Sequence, residues 1–265
     1  MEQSVNDAST SHYSFGDNQL AARRLEYLAE AFAPSSRRFL ERAKPDRVEC
    51  ALDLGSGIGI ATALLRDVTS APYAAGYERS ANFLAIARSR YPELTFRDVD
   101  VLSTEYPDRE VDLIYSRFLL THIHRPADLL ATSVQHLRSG GRLLLEETAA
   151  LSSPVPALAR YYHLVQQLQA HYGQETLIGR KLESLAAGVA GARATAVFEE
   201  IPVAAEMMAR LHALNLATWK ADPFMLETHG LCALEDLEGE LRAIAARSDF
   251  AAGRCVMAQV WIERT

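Results

Sequence analysis

The stretch "ALDLGSGIGIAT", residues 51–62, constrains the chain more than any other. A short apolar run ends in an acid, glycines follow at the alternate positions Gly55, Gly57 and Gly59, and helix-forming residues come next. An apolar strand that turns through glycine into a helix opens a β-α unit, and parallel strands need such crossovers. Gly55 suits the tight turn after the strand, Gly57 lets a ligand approach the backbone, and Gly59 lets the helix pack closely on the strand. Two phosphate-binding loops are excluded. A dinucleotide fingerprint starting at Gly55 needs a small residue where Ile60 stands, and no Gly-Lys-Ser/Thr follows as in a nucleoside-triphosphate loop. Asp53, at the edge of the loop, would repel a pyrophosphate and suits a ligand with a cationic end.

The alternation continues downstream. Apolar runs suited to buried parallel strands fall at 49–53, 73–78, 94–98, 111–116 and 142–147, with helical patterns near 59–67, 80–90 and 126–138. In "LRSGGRLLLEE" the glycine pair Gly140-Gly141 reads as a helix end before the next strand. Further on come a helix in "SSPVPALARYYHLVQQLQAHYG", a helix at 180–190, and the strand "ATAVFEEIPVA". A helical stretch through Trp219, interrupted at Pro223 and resumed at 233–247, precedes the last strand, "RCVMAQVWIE". The expected fold is α/β: an open, doubly wound, mostly parallel sheet of seven strands. Ahead of it, "NQLAARRLEYLAEAFAPSSRRFLERAKP" spaces Leu20, Leu25, Leu28, Ala29 and Phe32 as one helix face. Pro34 is expected to break that helix, the two serines to cap a second one, and Pro45 to close the unit. Residues 1–45 thus read as an amino-terminal lid and helical cap. Residues 46–265 read as the core, with helical insertions at about 151–195 and 205–253.

With 265 residues, about half of them apolar, the chain suits one large domain, or one domain with a helical appendage. A formal charge of −7 argues against nucleic acid as a partner, because phosphate backbone calls for clustered Lys and Arg. The basic doublets Arg23-Arg24, Arg37-Arg38 and Arg180-Lys181 sit among acids and read as solvated helix faces. Cys50, Cys232 and Cys255 are too scattered for a metal site and read as small core residues of a reducing compartment. The polar start "MEQSVNDASTSHYSFGDN" lacks the apolar core of a signal peptide, and no run is long enough to cross a bilayer. A cytoplasmic protein with no membrane partner is expected.

A phosphate-free adenosyl ligand with a cationic end matches the loop, and here the sequence resembles the class I S-adenosylmethionine (SAM)-dependent methyltransferases, in particular their ubiquinone-biosynthesis-like small-molecule branch. The resemblance rests on "LDLGSGIG", on Glu78 in "AAGYERS", on "FRDVDVLS", on "VDLIYSRFLLTHI" and on the "LRSGGRLLLEE" turn, and it covers roughly residues 46–150. It implies a Rossmann-like fold and SAM as cofactor. Asp53 would meet the amino group of the methionine moiety, Glu78 both ribose hydroxyls, Asp100 the adenine amino group, and Val101 the adenine from its backbone side. Ser56 and Arg79 adjoin the first two motifs; Ser116 and Arg117 end the fourth; all four are expected beside the cofactor. "HYSFGDN" resembles the family's amino-terminal lid, in which Tyr13 would close over the cofactor and Arg24 would meet its carboxylate.

The implied reaction passes the sulfonium methyl to a nucleophile by in-line displacement, with N, O or C as acceptor left open. Ser116-Arg117-Phe118-Leu119 stands where base methylases of this class often carry Asn/Asp-Pro-Pro-aromatic, which argues against nucleobase amines. No acid set marks a magnesium site, so no metal is expected. His122 is the candidate catalytic base or substrate contact, with His124 behind it. One of Glu146 and Glu147 should face the cleft. Tyr161 and Tyr162, with His163 and His171, read as core packing or the seam of a homodimer. Met207, Met208, Trp219, Phe224 and Met225 read as core first and as an adaptable apolar pocket wall second. The leading expectation is methyl transfer to a small, largely apolar metabolite, as in secondary metabolism. Two others stand beside it: a SAM-binding enzyme of different outcome (cyclisation, other chain transfer, or a pericyclic step), and a non-catalytic SAM-binding regulatory subunit.

Overall fold

The computed structural model describes residues 17–108 and 110–265. In chain order the elements begin α1 (Gln19–Ala43), β1 (Cys50–Leu54), α2 (Ile60–Thr69), β2 (Tyr73–Glu78), α3 (Ala81–Arg90), β3 (Thr95–Asp98) and β4 (Val111–Arg117). A single 3₁₀ turn (Leu120–His122) leads to α4 (Pro126–His136), β5 (Leu137–Ser152), α5 (Pro156–His171), α6 (Gly179–Ala187) and β6 (Ala192–Val203). The chain ends in α7 (Ala205–Trp219), α8 (Pro223–His229), α9 (Leu231–Ala245) and β7 (Gly253–Arg264). The strands form one sheet in the order β3-β2-β1-β4-β5-β7-β6, with β7 antiparallel to both neighbours and the other pairs parallel. This is the doubly wound α/β fold expected, with the helical additions after β5 and between the last two strands. Among the described residues, no helix is long and apolar enough to cross a membrane.

Strand alternation distributes the core. Leu52 and Leu54 of β1, Ile114 of β4, and Leu143 and Leu145 of β5 face α4 and α6 through Leu129, Leu130, Val134 and Leu182. Their neighbours Ala51, Leu113, Tyr115 and Leu144 face the other way, onto Phe39 and Leu40 of α1 and Leu65 of α2. By the same parity Asp53 belongs to the α2 face, Glu146 to the α1 face, and Glu147 to the face opposite. A third cluster, built from α5, α7, α8 and α9 with Phe32 of α1, covers the sheet beyond β5.

Four expectations are corrected. Pro34 does not break the first helix: Gln19–Ala43 is continuous with Pro34 inside it. Pro34 and Glu30, whose carbonyl loses its helical donor, both face water, so the lost bond is replaced by solvent. The flanking serines do not cap a second helix. Ser35 donates to Glu199 of β6 at 2.7 Å, and Ser36 accepts from Arg117 at 2.9 Å, which ties the middle of α1 to the sheet. Likewise Gly140 and Gly141 do not end α4, which stops at His136. They lie inside β5, where the pairing with β4 shifts register and a Cβ on Gly141 would come within 2.9 Å of the Arg138 carbonyl. Finally, of the cysteines only Cys255 is buried, Cys50 being half-buried and Cys232 exposed.

Candidate active site

Strand order reverses between β1 and β4, since β2 and β3 extend one way and β5 to β7 the other. In an open α/β sheet this leaves a crevice beyond the carboxyl ends of the two central strands. Here it is a cleft of about 610 Å³, roofed by α1 on one side and α7 on the other.

The glycine loop forms its floor. Gly55 and Ser56 donate backbone N–H groups to the Tyr77 carbonyl at 2.9 and 3.0 Å, folding the loop back onto β2. Gly57 donates to Glu78 Oε2 at 2.9 Å, while Oε1 of the same carboxylate accepts from the N–H groups of Arg79 (2.9 Å) and Ser80 (2.8 Å). Burial raises the Glu78 pKa, and those three backbone bonds oppose the rise. Gly57 has φ +53°, and a Cβ there would stand 3.0 Å from Leu25 of α1. Gly59, at φ +85°, is the residue before α2; a Cβ there would stand 2.7 Å from the Phe96 ring of β3. Its close approach is therefore to β3 rather than to β1.

Asp53 lies 1% exposed at the end of β1, with Thr62 of α2 donating to it at 2.7 Å. Burial raises its pKa to about 7, against the Thr62 hydrogen bond and the positive field of Arg117. Asp100 follows β3, accepts from the Leu102 N–H at 3.0 Å, and faces Arg79 across 3.5 Å. Both members of that pair are about half exposed, so it adds little stability. Val101 is buried alongside.

Further in, the lining is mostly apolar: Leu28, Phe32, Phe118, Leu151, Val165 and Met208. Polar groups are set into it, among them the buried Arg24 and Glu147 and the half-buried His122. Arg24 is only 5% exposed on α1. His122, in the turn after β4, is hydrogen-bonded by Gln174, yet burial and the nearby Arg24 charge lower its pKa to about 3. Glu147 ends on the cleft, where its Oε1 accepts from the Leu120 N–H at 2.7 Å and burial raises its pKa to about 8.

Most of the residues singled out from the sequence converge here. Arg24, Asp53, Gly55, Ser56, Gly57, Glu78, Arg79, Asp100, Val101, Arg117 and His122 all line the cleft. Ser116 does not, because strand parity buries it at 1% exposure within β4. Tyr13 lies outside the described residues. Arg117 bridges to Ser36 and lies 5.7 Å from the Phe118 ring, so it also fastens β4 to α1. Glu146 turns away, accepting from Tyr115 at 2.5 Å and from Gln259 at 2.8 Å. His124 is exposed. Tyr161 and Tyr162 are buried within the chain, which removes them as a dimer seam, and Tyr161 lines the cleft. Of the two methionines opening α7, Met208 reaches the cleft.

Sequence reasoning missed Thr62, Gln174, His212 and Asn215. In α7, Met208, Leu211, His212 and Asn215 stand at i, i+3, i+4 and i+7, so one helix face carries all four to the cleft. That spacing was available in the sequence.

The methyltransferase domain family matches residues 21–187. A trans-aconitate 2-methyltransferase of Azoarcus sp. strain BH72 is 30% identical, the alignment taking in 49% of this chain and 61% of that protein. The chain spans about half the length of the curated relatives it matches. Among solved structures, phosphoethanolamine N-methyltransferase 2 of Haemonchus contortus superposes with a TM-score of 0.57 at 15% identity, covering 98% of this chain and 62% of that one. The YcgJ protein of Bacillus subtilis does so at 0.56 and 16% identity, covering 88% and 99%. These structures share the fold.

Proposed function

The chain belongs to the methyltransferase domain family, in the SAM-dependent class I group, and from that premise we propose that it transfers the methyl group of SAM to a small, largely apolar acceptor. One observation carries the proposal: carboxylates from the ends of three adjacent strands, Asp53, Glu78 and Asp100, rim a cleft whose floor is a glycine loop. In this reading Asp53 receives the ammonium of the methionine moiety. A buried carboxylate with a raised pKa gains most from a cation beside it, which brings it back to the charged form. Glu78 keeps one acceptor site, on Oε2, for a ribose hydroxyl, since Oε1 already accepts two backbone N–H groups; Asp100 and the Val101 backbone meet the adenine, and Arg24 meets the carboxylate of the methionine moiety.

The acceptor occupies the apolar half. A tricarboxylate such as trans-aconitate would need several cations there, whereas of the three arginines in the described lining Arg79 pairs with Asp100 on the cofactor side, which leaves Arg24 and Arg117. Leu28, Phe32, Phe118, Val165 and Met208 favour an apolar skeleton instead. Transfer is an in-line displacement from a good leaving group, so holding the nucleophile close and aligned supplies most of the acceleration. Where the nucleophile carries a proton, Glu147 takes it, because its proton affinity is matched to neutral pH. His122, with a pKa of about 3, acts as a positioning residue at the mouth of the acceptor half.

Calorimetry with SAM, followed by mass spectrometry of reactions with small-molecule extracts, tests this. The expected result is single-site binding and a product heavier by one CH₂. Release of methylthioadenosine without a methylated product would select a different SAM chemistry, and no SAM binding would end the proposal.

A further inference from the structure

The inner wall of the cleft carries several polar atoms without hydrogen-bond partners among the described residues, on His212, on Asn215 and at the Tyr161 hydroxyl. His212 is 5% exposed, and neither ring nitrogen has a hydrogen-bond partner among the described residues. Asn215, one turn further along α7 and equally buried, has its amide beside the Tyr161 hydroxyl while its Oδ1 has no partner among the described residues. Both side chains line the cleft. The imidazole is fixed in orientation by stacking on Tyr161 at 4.1 Å between centroids and by the edge of Tyr162 at 5.2 Å. A buried polar atom without a partner costs free energy of the order of a lost hydrogen bond, and a rigid pair aimed into a cavity recovers it when a ligand supplies the missing groups.

We infer that His212 and Asn215 form a recognition pair for a neutral hydroxyl group on the apolar acceptor. This rests on the reading of the cleft as a SAM-dependent site, and it names the acceptor's polar handle. The chemistry follows from what is unpaired. A neutral imidazole offers one N–H donor and one acceptor nitrogen, and Asn215 Oδ1 adds a second acceptor. A hydroxyl donates once and accepts twice, so it can take the imidazole N–H while giving its own proton to the other side. A carboxylate has no proton to give and would set its oxygen against Asn215 Oδ1. An ammonium would enter the positive field of Arg24, the same field that, after burial, disfavours the protonated form of His212.

The probes are 2-naphthol, naphthalene and 2-naphthoate, titrated by fluorescence against the full chain saturated with S-adenosylhomocysteine. The expected order places 2-naphthol about tenfold tighter than naphthalene, the worth of one good buried hydrogen bond, with 2-naphthoate weakest. His212→Phe, which keeps the stacking, should bring 2-naphthol down to naphthalene, and His212→Gln should restore part of the preference. Asn215→Leu gives an independent loss should the first variant not fold. S-adenosylhomocysteine affinity, measured on each variant, should stay unchanged. Failure of the wild-type chain to bind S-adenosylhomocysteine would sink the SAM reading. Normal cofactor binding with no hydroxyl preference, or a preference that survives His212→Phe, would overturn this inference alone.

Discussion

Glu78 does two jobs with one carboxylate. It clamps the glycine loop through the Gly57 N–H and the start of α3 through the N–H groups of Arg79 and Ser80. Glu78→Ala therefore loosens the loop as well as removing a ribose contact, whereas Asp100→Ala strips a half-exposed group that holds only one backbone N–H. Each should weaken SAM binding by about 1–3 kcal/mol, with Glu78→Ala the larger and also lowering Tm, and Asp100→Ala leaving Tm unchanged. Calorimetry and a melting curve on the two variants decide this; equal SAM affinity in both and in the wild type would displace the nucleoside from this rim. Gly59→Ala forces a Cβ onto Phe96 at a positive φ, so it should destabilise by about 1–3 kcal/mol through strain and crowding. Asp53 was legible because it ends an apolar run just ahead of the glycine loop, whereas Glu78 and Asp100 were picked out by the resemblance of "AAGYERS" and "FRDVDVLS" to family motifs. The orientation of Glu147 was not legible, since two adjacent acids end the run and only the strand's parity separates them.

At the scale of elements, α1 shows how packing overrides local preference. Proline inside a helix disfavours it by about 3 kcal/mol relative to alanine, yet the helix runs on, held by the links of Ser35 and Ser36 to the sheet and by Phe39 and Leu40 in the core. Pro34→Ala should raise stability by about 2 kcal/mol, the helix gain less the extra freedom of the unfolded chain. A denaturant titration reads the change; a loss would mean that the proline shapes the helix for its packing on the sheet. In α7 the inward stripe places His212 and Asn215 in the cleft wall, and a helix pattern alone cannot say whether such a stripe meets core or cavity. That distinction arises when α5, α7 and α9 close over the far end of the sheet.

For the molecule as a whole, the cleft makes stability depend on pH from both sides. His122 and His212 have folded pKa values near 3, below the ordinary 6.5, so the unfolded chain takes up their protons first. Their contribution is present above pH 6.5 and is lost as pH falls toward 3. Asp53 and Glu147 have folded values raised from 3.8 and 4.5 to about 7 and about 8. Their contribution is full below the ordinary carboxylate range and is lost as pH rises to about 8. Without cofactor, Tm should therefore decline from pH 6.5 to 8. Glu147→Gln should flatten that decline, which thermal scans across the range measure. SAM binding should be accompanied by proton release near pH 7, as its cation returns Asp53 to the charged form, and calorimetry in two buffers of different ionisation enthalpy reads it.

Read along the chain, the residues already specify the doubly wound sheet, the crevice at the loop and Asp53 at its edge, because these depend on short-range patterns of strand, glycine turn and helix; Glu78 and Asp100 came from the resemblance of their motifs to the family. Packing settles that Ser116 turns inward, that Glu147 rather than Glu146 meets the cleft, and that the His212 ring nitrogens and Asn215 Oδ1 in its wall lack partners among the described residues. The difference is one of range. Backbone patterning is set by neighbours a few residues apart, whereas the pairing and solvation of a side chain are set by elements far along the chain that pack against it.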